Sequence, residues 1–272
     1  MLEALGIFAE LDRGEPVAAE HAAIESLKLA FEDASAHLAD PLMEDVPVES
    51  LLGSDHRAAR RGEIGRRARP SAAPGGATDT VYLAAVDGEG GACSFIQSIY
   101  ASFGSGVGVP GLGITLQNRA AGFVLDPRHP NRLAPGKRPY HTIIPAMVAR
   151  DGAFDGCLGV VGGFMQPQGQ MQVLRHMLDD GRGVGEALAA PRLRFLGGRA
   201  VGAEAGCDPA LLAGLRARGH ELGPLSPAHA GGAQAIFRDG DRLTGASDPR
   251  RDGCVGVAPP SARHPTLGPR AR

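Results

Sequence analysis

The chain has 272 residues, 43% hydrophobic and 21% charged, so it can bury a sizeable core and is expected to form one large globular domain. Forty glycines and 21 prolines imply many turns and few long helices, while a net charge of −2 gives no overall attraction to nucleic acid or to a membrane surface. No apolar run is long enough to span a bilayer, and Met1-Leu2-Glu3-Ala4-Leu5-Gly6 meets an acid too early for a secretory leader, which makes the cytoplasm the expected compartment.

Residues 1–69 read as helical, because Ile24, Leu27 and Phe31 recur at three- and four-residue spacing and Ala23 and Ala30 widen the same stripe. Arg57, Arg60, Arg61, Arg66, Arg67 and Arg69 follow as a basic run. A solvated helix face is the expected reading, since the run lacks the interleaved aromatics of a nucleic-acid module. Residues 70–78 have linker composition. The period then changes to two: strands are predicted over 81–86 and 92–99 across the turn Asp87-Gly88-Glu89-Gly90-Gly91. Further hairpins are predicted from 142–149 with 157–161 around Arg150-Asp151-Gly152, and from 233–238 with 242–245 around Asp239-Gly240-Asp241. Helices are predicted over 170–178, 184–189 and 209–218, stopped by Gly181, Pro191 and Gly219. Strand pairs alternating with helix groups give an α+β chain of antiparallel sheets covered by helices, and the Pro-rich stretch 259–272 is expected to be disordered.

Cys93, Cys157, Cys207 and Cys254 lie far apart and match no disulfide framework or metal spacing, so reduced and mostly buried thiols are expected. Neither an H-E-x-x-H pair nor a phosphate-binding G-x-x-x-x-G-K-[ST] run occurs. Gly106-Val107-Gly108-Val109-Pro110-Gly111 fits G-x-G-x-x-G literally, but a strand-like stretch, Ile114-Thr115-Leu116, follows where the dinucleotide fold needs a helix, so a tight loop is expected.

Thr80 opens a strand directly after a Gly-rich stretch. A threonine hydroxyl is a poor nucleophile by itself. Freed as a chain terminus, it gains an adjacent α-amine of pKa about 7.7 to 8.0 that acts as its base near neutrality. Ordinary turn chemistry gives the same local pattern. Val160-Val161-Gly162-Gly163 ends an apolar run with two glycines whose N–H groups are candidates for an oxyanion hole, although a plain glycine turn reads alike. His141 beside Thr142 is open to acid–base chemistry or to a structural hydrogen bond.

Several strings fall together in a fixed order: Asp79-Thr80-Val81-Tyr82-Leu83, Phe103-Gly104-Ser105-Gly106, LQNRAAGF over 116–123, Pro135-Gly136-Lys137-Arg138-Pro139, GGFMQPQG over 162–169, and Gly245-Ala246-Ser247-Asp248-Pro249-Arg250. In this order the chain resembles the γ-glutamyltransferase family of N-terminal-nucleophile hydrolases, over nearly its whole length. The resemblance implies a four-layer αββα sandwich, incomplete because most of the large-subunit region is absent: residues 1–79 the end of that region, 80–258 the small catalytic subunit. It implies self-cleavage between Asp79 and Thr80, attack by the Thr80 hydroxyl on an amide carbonyl, Ser98 as a second hydroxyl, Gly162 and Gly163 as oxyanion donors, and Arg119, His141 and Thr142 against the substrate. No metal or organic cofactor is implied. The implied partners are a γ-glutamyl or acyl-amide small molecule and the two cleavage products with each other, with a homo-oligomer left open and no nucleic acid or membrane.

Three positions depart from the family pattern. Gly122 stands where relatives carry the acid that holds an α-ammonium, Tyr100 where many carry asparagine, and Arg119 where glutamine is common. Acyl specificity is therefore expected to differ. A second function class stays open: a catalytically silent fragment with an exposed sheet edge and an uncovered face, which self-cleavage distinguishes from an enzyme.

Overall fold

Pro16 has no N–H to lose and its fixed φ suits the first helical position, so the chain turns from extended Glu15 straight into a 22-residue helix. The computed structural model describes residues 1–11, 14–75 and 79–258; the expected disordered tail at 259–272 and the end of the expected linker at 76–78 lie outside the described residues. In chain order the helical part holds α1 (Leu2–Ala9), α2 (Pro16–His37), α3 (Val48–Leu51) and α4 (Ser54–Gly62). Then come β1 (Asp79–Val86), β2 (Ala92–Tyr100), the short β3 (Gly108–Val109) and β4 (Ile114–Thr115), β5 (Ala146–Arg150), β6 (Ala153–Val161), α5 (Met165–Leu178) and α6 (Val184–Ala189). The chain continues with β7 (Leu193–Gly197), β8 (Ala200–Ala203), α7 (Pro209–Ala217), β9 (Glu221–Pro224), β10 (Gly232–Asp239) and β11 (Arg242–Ser247).

Two sheets carry the site. β11-β10-β6-β5 form a four-stranded antiparallel sheet, and β1 and β2 form a hairpin packed on one of its faces. Asp151 and Gly152 both take positive φ, 52° and 79°, which matches a tight turn to the twist of β5 and β6. Gly159 makes the close approach of the sheets possible, because a Cβ there would collide with the Tyr82 ring of β1. The layers are also tied by polar groups: Tyr82 shares a hydrogen bond with Ser94 at 2.7 Å, and Ser94 donates to the Ala146 carbonyl of β5 at 3.0 Å.

Helices cover the opposite face of the four-stranded sheet. Leu158 and Val160 of β6 with Ala233, Ala235 and Phe237 of β10 meet Val173 and Leu174 of α5 and Leu188 of α6. Leu158 is fully buried, so truncating it to alanine would cost about 2–5 kcal/mol in lost transfer and cavity energy. The outward face of the hairpin is different: Val81, Leu83 and Phe95 remain 58%, 47% and 46% exposed. Among the described residues, the sandwich therefore shows helix, sheet and sheet, with the outer hairpin face open.

The apolar stripe on α2 covers two surfaces at once. Ala23, Leu27 and Phe31 pack with Met171 of α5 and Phe195 of β7, while Ile24 packs with Leu193 and Val201 of a three-stranded sheet, β7-β8-β9. The arginines after it are largely consumed within the chain: Arg60 by Asp33 and Glu63, Arg61 by Glu10 at 2.7 Å, and Arg69 by Glu32 at 3.0 Å. The described part of the linker is pinned, with Ser71 exchanging backbone hydrogen bonds with Gly198.

Four expectations change. The strand predicted over 142–149 starts only at Ala146, because Pro145 has no N–H and Ile144 is held by side chains, its N–H by Gln166 at 3.2 Å and its carbonyl by Gln170 at 2.7 Å. The helix predicted from residue 170 starts at Met165, since its glutamines are buried rather than solvated. Gln168 and Gln172, one turn apart, accept from the N–H groups of Phe195 and Leu193 at 2.7 and 2.9 Å and so act as a pseudo-strand along β7. The β7-β8-β9 sheet is an addition. Finally, all four cysteines are free, but Cys93 and Cys254 are exposed and only Cys157 is buried outright.

Candidate active site

Thr80 sits at an irregularity in the hairpin. Asp79 pairs with Tyr100 and Val81 with Gln97, so the single residue Thr80 lies opposite two, Ser98 and Ile99. Such a bulge re-aims a side chain out of the regular pleat. The Thr80 hydroxyl donates to Ser98 Oγ at 3.1 Å, and the same oxygen accepts from the Tyr100 N–H at 3.0 Å. Tyr100 takes a left-handed φ of 76°, a conformation costing a non-glycine residue on the order of 1–3 kcal/mol. Backbone strain is thus stored directly across from the Asp79–Thr80 junction.

The Phe103-Gly104-Ser105-Gly106 turn is held against the strand that follows it: Ser105 donates to the Leu116 carbonyl at 2.9 Å, and a Cβ on Gly104 would collide with that carbonyl. Asn118 joins both sides of the loop, giving its N–H to Ile99 and accepting from the Ala101 N–H at 2.9 Å. That fixes the short helical turn Arg119–Gly122 beside the end of β2.

Gly162 and Gly163 follow β6 with φ of 115° and 61°, values that favour glycine. Their carbonyls accept from Met165 and Gln166 and so start α5, placing the pair at the positive end of a 14-residue helix. A cavity of about 520 Å³ has both Thr80 and Gly162 in its wall, with Ser102, Arg194, His229 and Arg251. Thr80, the positive helix end and open space therefore coincide. Arg194, whose pKa is lowered by burial, anchors one nitrogen on the His229 carbonyl at 2.8 Å; it is a cation at the site that sequence reading did not single out.

His141 and Thr142 lie elsewhere, in the wall of a second cavity of about 450 Å³ with Asp40, Arg138, Tyr140 and Phe164. Burial and the Arg119 cation lower the His141 pKa, favouring the neutral ring near neutrality. Arg119 itself is 8% exposed and packs over the Tyr100 ring at 5.5 Å. Of the sequence-predicted residues, Thr80 and Gly162 line the first cavity with Ser98 bonded to Thr80, Gly163 follows Gly162 at the start of α5, His141 and Thr142 line the second cavity, and Arg119 packs on Tyr100 with its charge acting on His141.

The GASDPR string closes a buried ion network. Asp248 accepts from Arg192 at 2.5 Å and from the Ala233 N–H at 2.9 Å, while Arg250 bridges to Glu204 at 2.6 Å. Arg250 also donates to the Leu188 and Ala190 carbonyls, which ties the segment after β11 to the end of α6. Of groups able to hold a metal, His21, Glu25 and His220 bring ligand atoms within 4.8 Å of one another. Lys28 already neutralises Glu25 at 2.7 Å and the two imidazoles bond each other at 2.8 Å, so this cluster reads as internal packing.

Comparison with known proteins agrees with this geometry. The family model described as gamma-glutamyltranspeptidase matches residues 1–258. The glutathione hydrolase-like YwrD proenzyme of Bacillus subtilis is 39% identical over 87% of this chain and 47% of its own length. The oxamate amidohydrolase proenzyme of Klebsiella pneumoniae is 39% identical over 86% of this chain and 46% of its own. The cephalosporin acylase of Bacillus halodurans superposes with a TM-score of 0.86 at 42% identity, covering 94% of this chain and 48% of that one. A chain of the gamma-glutamyltranspeptidase of Pseudomonas nitroreducens aligns with a TM-score of 0.60 at 29% identity, over 65% of this chain and 99% of its own. The chain spans about half the length of the curated relatives it matches.

Proposed function

The chain belongs to the gamma-glutamyltranspeptidase family of N-terminal-nucleophile hydrolases, and from that premise we propose that it is the nucleophile-bearing part of a self-cleaving threonine amidohydrolase or acyltransferase. The Thr80 hydroxyl adds to the Asp79 carbonyl carbon, its proton passes to the amide nitrogen, and the C–N bond breaks to leave an ester. The break frees the Thr80 α-amine, and water then hydrolyses the ester, releasing the Asp79 carboxyl and restoring the Thr80 hydroxyl. That amine then serves as base while the same hydroxyl attacks a γ-glutamyl or related acyl amide, and the acyl-threonine is released to water or an amine.

The observation that carries this reading is the 3.1 Å hydrogen bond from the Thr80 hydroxyl to Ser98, in a cavity that Gly162 also lines. Ser98 orients the nucleophile, and Gly162 and Gly163 at the start of α5 supply positive electrostatic potential where an oxyanion develops. The matched share of the Pseudomonas nitroreducens chain has the length of residues 80–258 and supports that segment as the catalytic subunit. Acid quench of a reaction with a chromogenic acyl anilide, followed by peptide mass mapping, is expected to place the acyl group on the peptide that starts with Thr80. An acyl group on another residue would overturn the assignment.

The open outer face of the hairpin, with Val81, Leu83 and Phe95, favours a second reading in which this chain alone does not mature. Its signature is an uncut chain with no turnover.

A further inference from the structure

Arg194 is a buried cation in the wall of the cavity that Thr80 also lines. It is 7% exposed, it gives one guanidinium nitrogen to the His229 carbonyl at 2.8 Å, and no carboxylate among the described residues pairs with it. Burial lowers its pKa with no neighbouring acid to oppose the change, yet a guanidinium stays charged under these conditions. A fixed positive charge therefore stands in a poorly screened position beside the proposed nucleophile.

The other groups on this cavity do not cancel it. Arg251 adds a second cation, bonded to the carbonyls of Arg250 and Ala228 at 3.1 and 2.8 Å. Asp252 and His229 also line the wall but are exposed, so solvent and salt screen them, whereas Arg194 is shielded from both. Tyr82 is kept neutral by burial, which raises its pKa. From the strands packed on β1, β2 brings Tyr100 to this end while β6 and β10 bring Val161 and Gln234, none of them a carboxylate. The start of α5 adds potential of the same sign as Arg194.

A cut before Thr80 leaves its new α-amine within roughly 3–4 Å of the hydroxyl by covalent geometry alone. A compact cavity of about 520 Å³ is roughly 10 Å across, and a charge at that distance, with an effective dielectric near 20, lowers the pKa of an ammonium by roughly one pH unit. We propose that Arg194 holds the freed Thr80 amine in its neutral form and so sets the pH at which the nucleophile has its base. This rests on the Thr80 reading and names the residue that tunes it. The amine takes the hydroxyl proton as Oγ attacks and returns it to the leaving nitrogen, and a base titrating near the working pH does both steps well. Arg194 acts through the amine as a positioning residue and exchanges no proton itself.

The test compares the self-cleaved full chain with Arg194→Lys, which keeps the charge, and Arg194→Gln, which keeps a donor for the His229 carbonyl and removes the charge. With a chromogenic acyl anilide, the acid limb of kcat/KM is expected near pH ~7 in the unmodified chain and in Arg194→Lys, and roughly one pH unit higher in Arg194→Gln. A structural role would lower the plateau and leave the limb in place. A second readout needs no variant: in protein labelled with 15N-threonine, the freed α-amine is expected to titrate by NMR below the ordinary terminal range of about 7.7 to 8.0. An amine titrating within or above that range, or a limb that Arg194→Gln leaves unmoved, overturns the role of Arg194 and keeps Thr80 as the nucleophile. A chain that never exposes a Thr80 terminus removes both.

Discussion

Asp79 and Tyr100 face each other across the β1–β2 hairpin, and the pairing breaks at the next residue, so that Thr80 projects from the one point where the ladder is irregular. Tyr100 holds a left-handed φ of 76° there and gives its N–H to Ser98, the residue that receives the Thr80 hydroxyl. The bulge, the strained tyrosine and the serine therefore all lie at the Asp79–Thr80 junction.

Ser98→Ala removes the acceptor of the Thr80 hydroxyl without touching the nucleophile. Conversion at the Asp79–Thr80 bond is expected to slow roughly tenfold, the worth of about one hydrogen bond, and Ser98→Thr to restore most of it. Timed gel analysis of both variants measures this; equal rates in Ser98→Ala and the unmodified chain would exclude an orienting role.

Gly163→Val places a β-branched side chain at a φ of 61° beside the oxyanion position. Turnover is expected to fall by about 10² to 10³ in kcat, the usual loss for one oxyanion donor, with a smaller loss in melting temperature. Unchanged turnover in a folded protein would remove Gly163 from the oxyanion hole.

Gly122→Asp is expected to shift donor preference from glutaryl towards γ-glutamyl amides. The position accepts a side chain: its φ lies outside the left-handed region, and a Cβ would rest 3.5 Å from the Tyr140 carbonyl, an ordinary contact. The new carboxylate would supply an α-ammonium with the partner it lacks. Ratios of kcat/KM for glutaryl- and γ-glutamyl-p-nitroanilide in both proteins decide the point. A strong γ-glutamyl preference in the unmodified enzyme would mean that another group holds the ammonium.

His220 is buried against Lys28 and His21, and burial followed by those neighbouring cations pushes its pKa down from 6.5 to about 3. The unfolded chain thus takes up a proton near pH 6.5 that the folded chain refuses until about 3. Stability is expected to fall as pH drops through that window, by up to about 1.4 kcal/mol per pH unit from this group, with His21 contributing in the same direction. Urea midpoints between pH 7 and 5 should decline less steeply in His220→Asn; an identical slope would assign the loss to other groups.

The hairpins were legible in the sequence because alternation and turn residues agree: Tyr82 and Ile96 point inward while Val81 and Gln97 point outward. The face of α2 was legible for a similar reason, a stripe of Ile24, Leu27 and Phe31 at helical spacing. The β7-β8-β9 sheet was not, because Arg192 and Arg194 are buried by ion pairing and carbonyl bonds that no hydropathy pattern reveals. The start of α5 was hidden by glutamines that look solvated and instead hold Ile144, Leu193 and Phe195. At the site, Thr80 stood out by its place before a strand, and Ser98 emerged only through resemblance to a family. Among the described residues the terminal guanidinium nitrogens of Arg119 have no hydrogen-bond partner, a condition set by what lies around them in space, which sequence spacing does not encode.

The central claim is that Thr80 becomes a chain terminus and acts as the nucleophile. Intact-mass measurement of the purified chain over time, with Edman sequencing of the products, tests it most directly. Two fragments divided between Asp79 and Thr80 are expected, absent in Thr80→Ala and formed more slowly in Thr80→Ser. An active protein that remains uncut, or one cut at any other bond, would contradict the account.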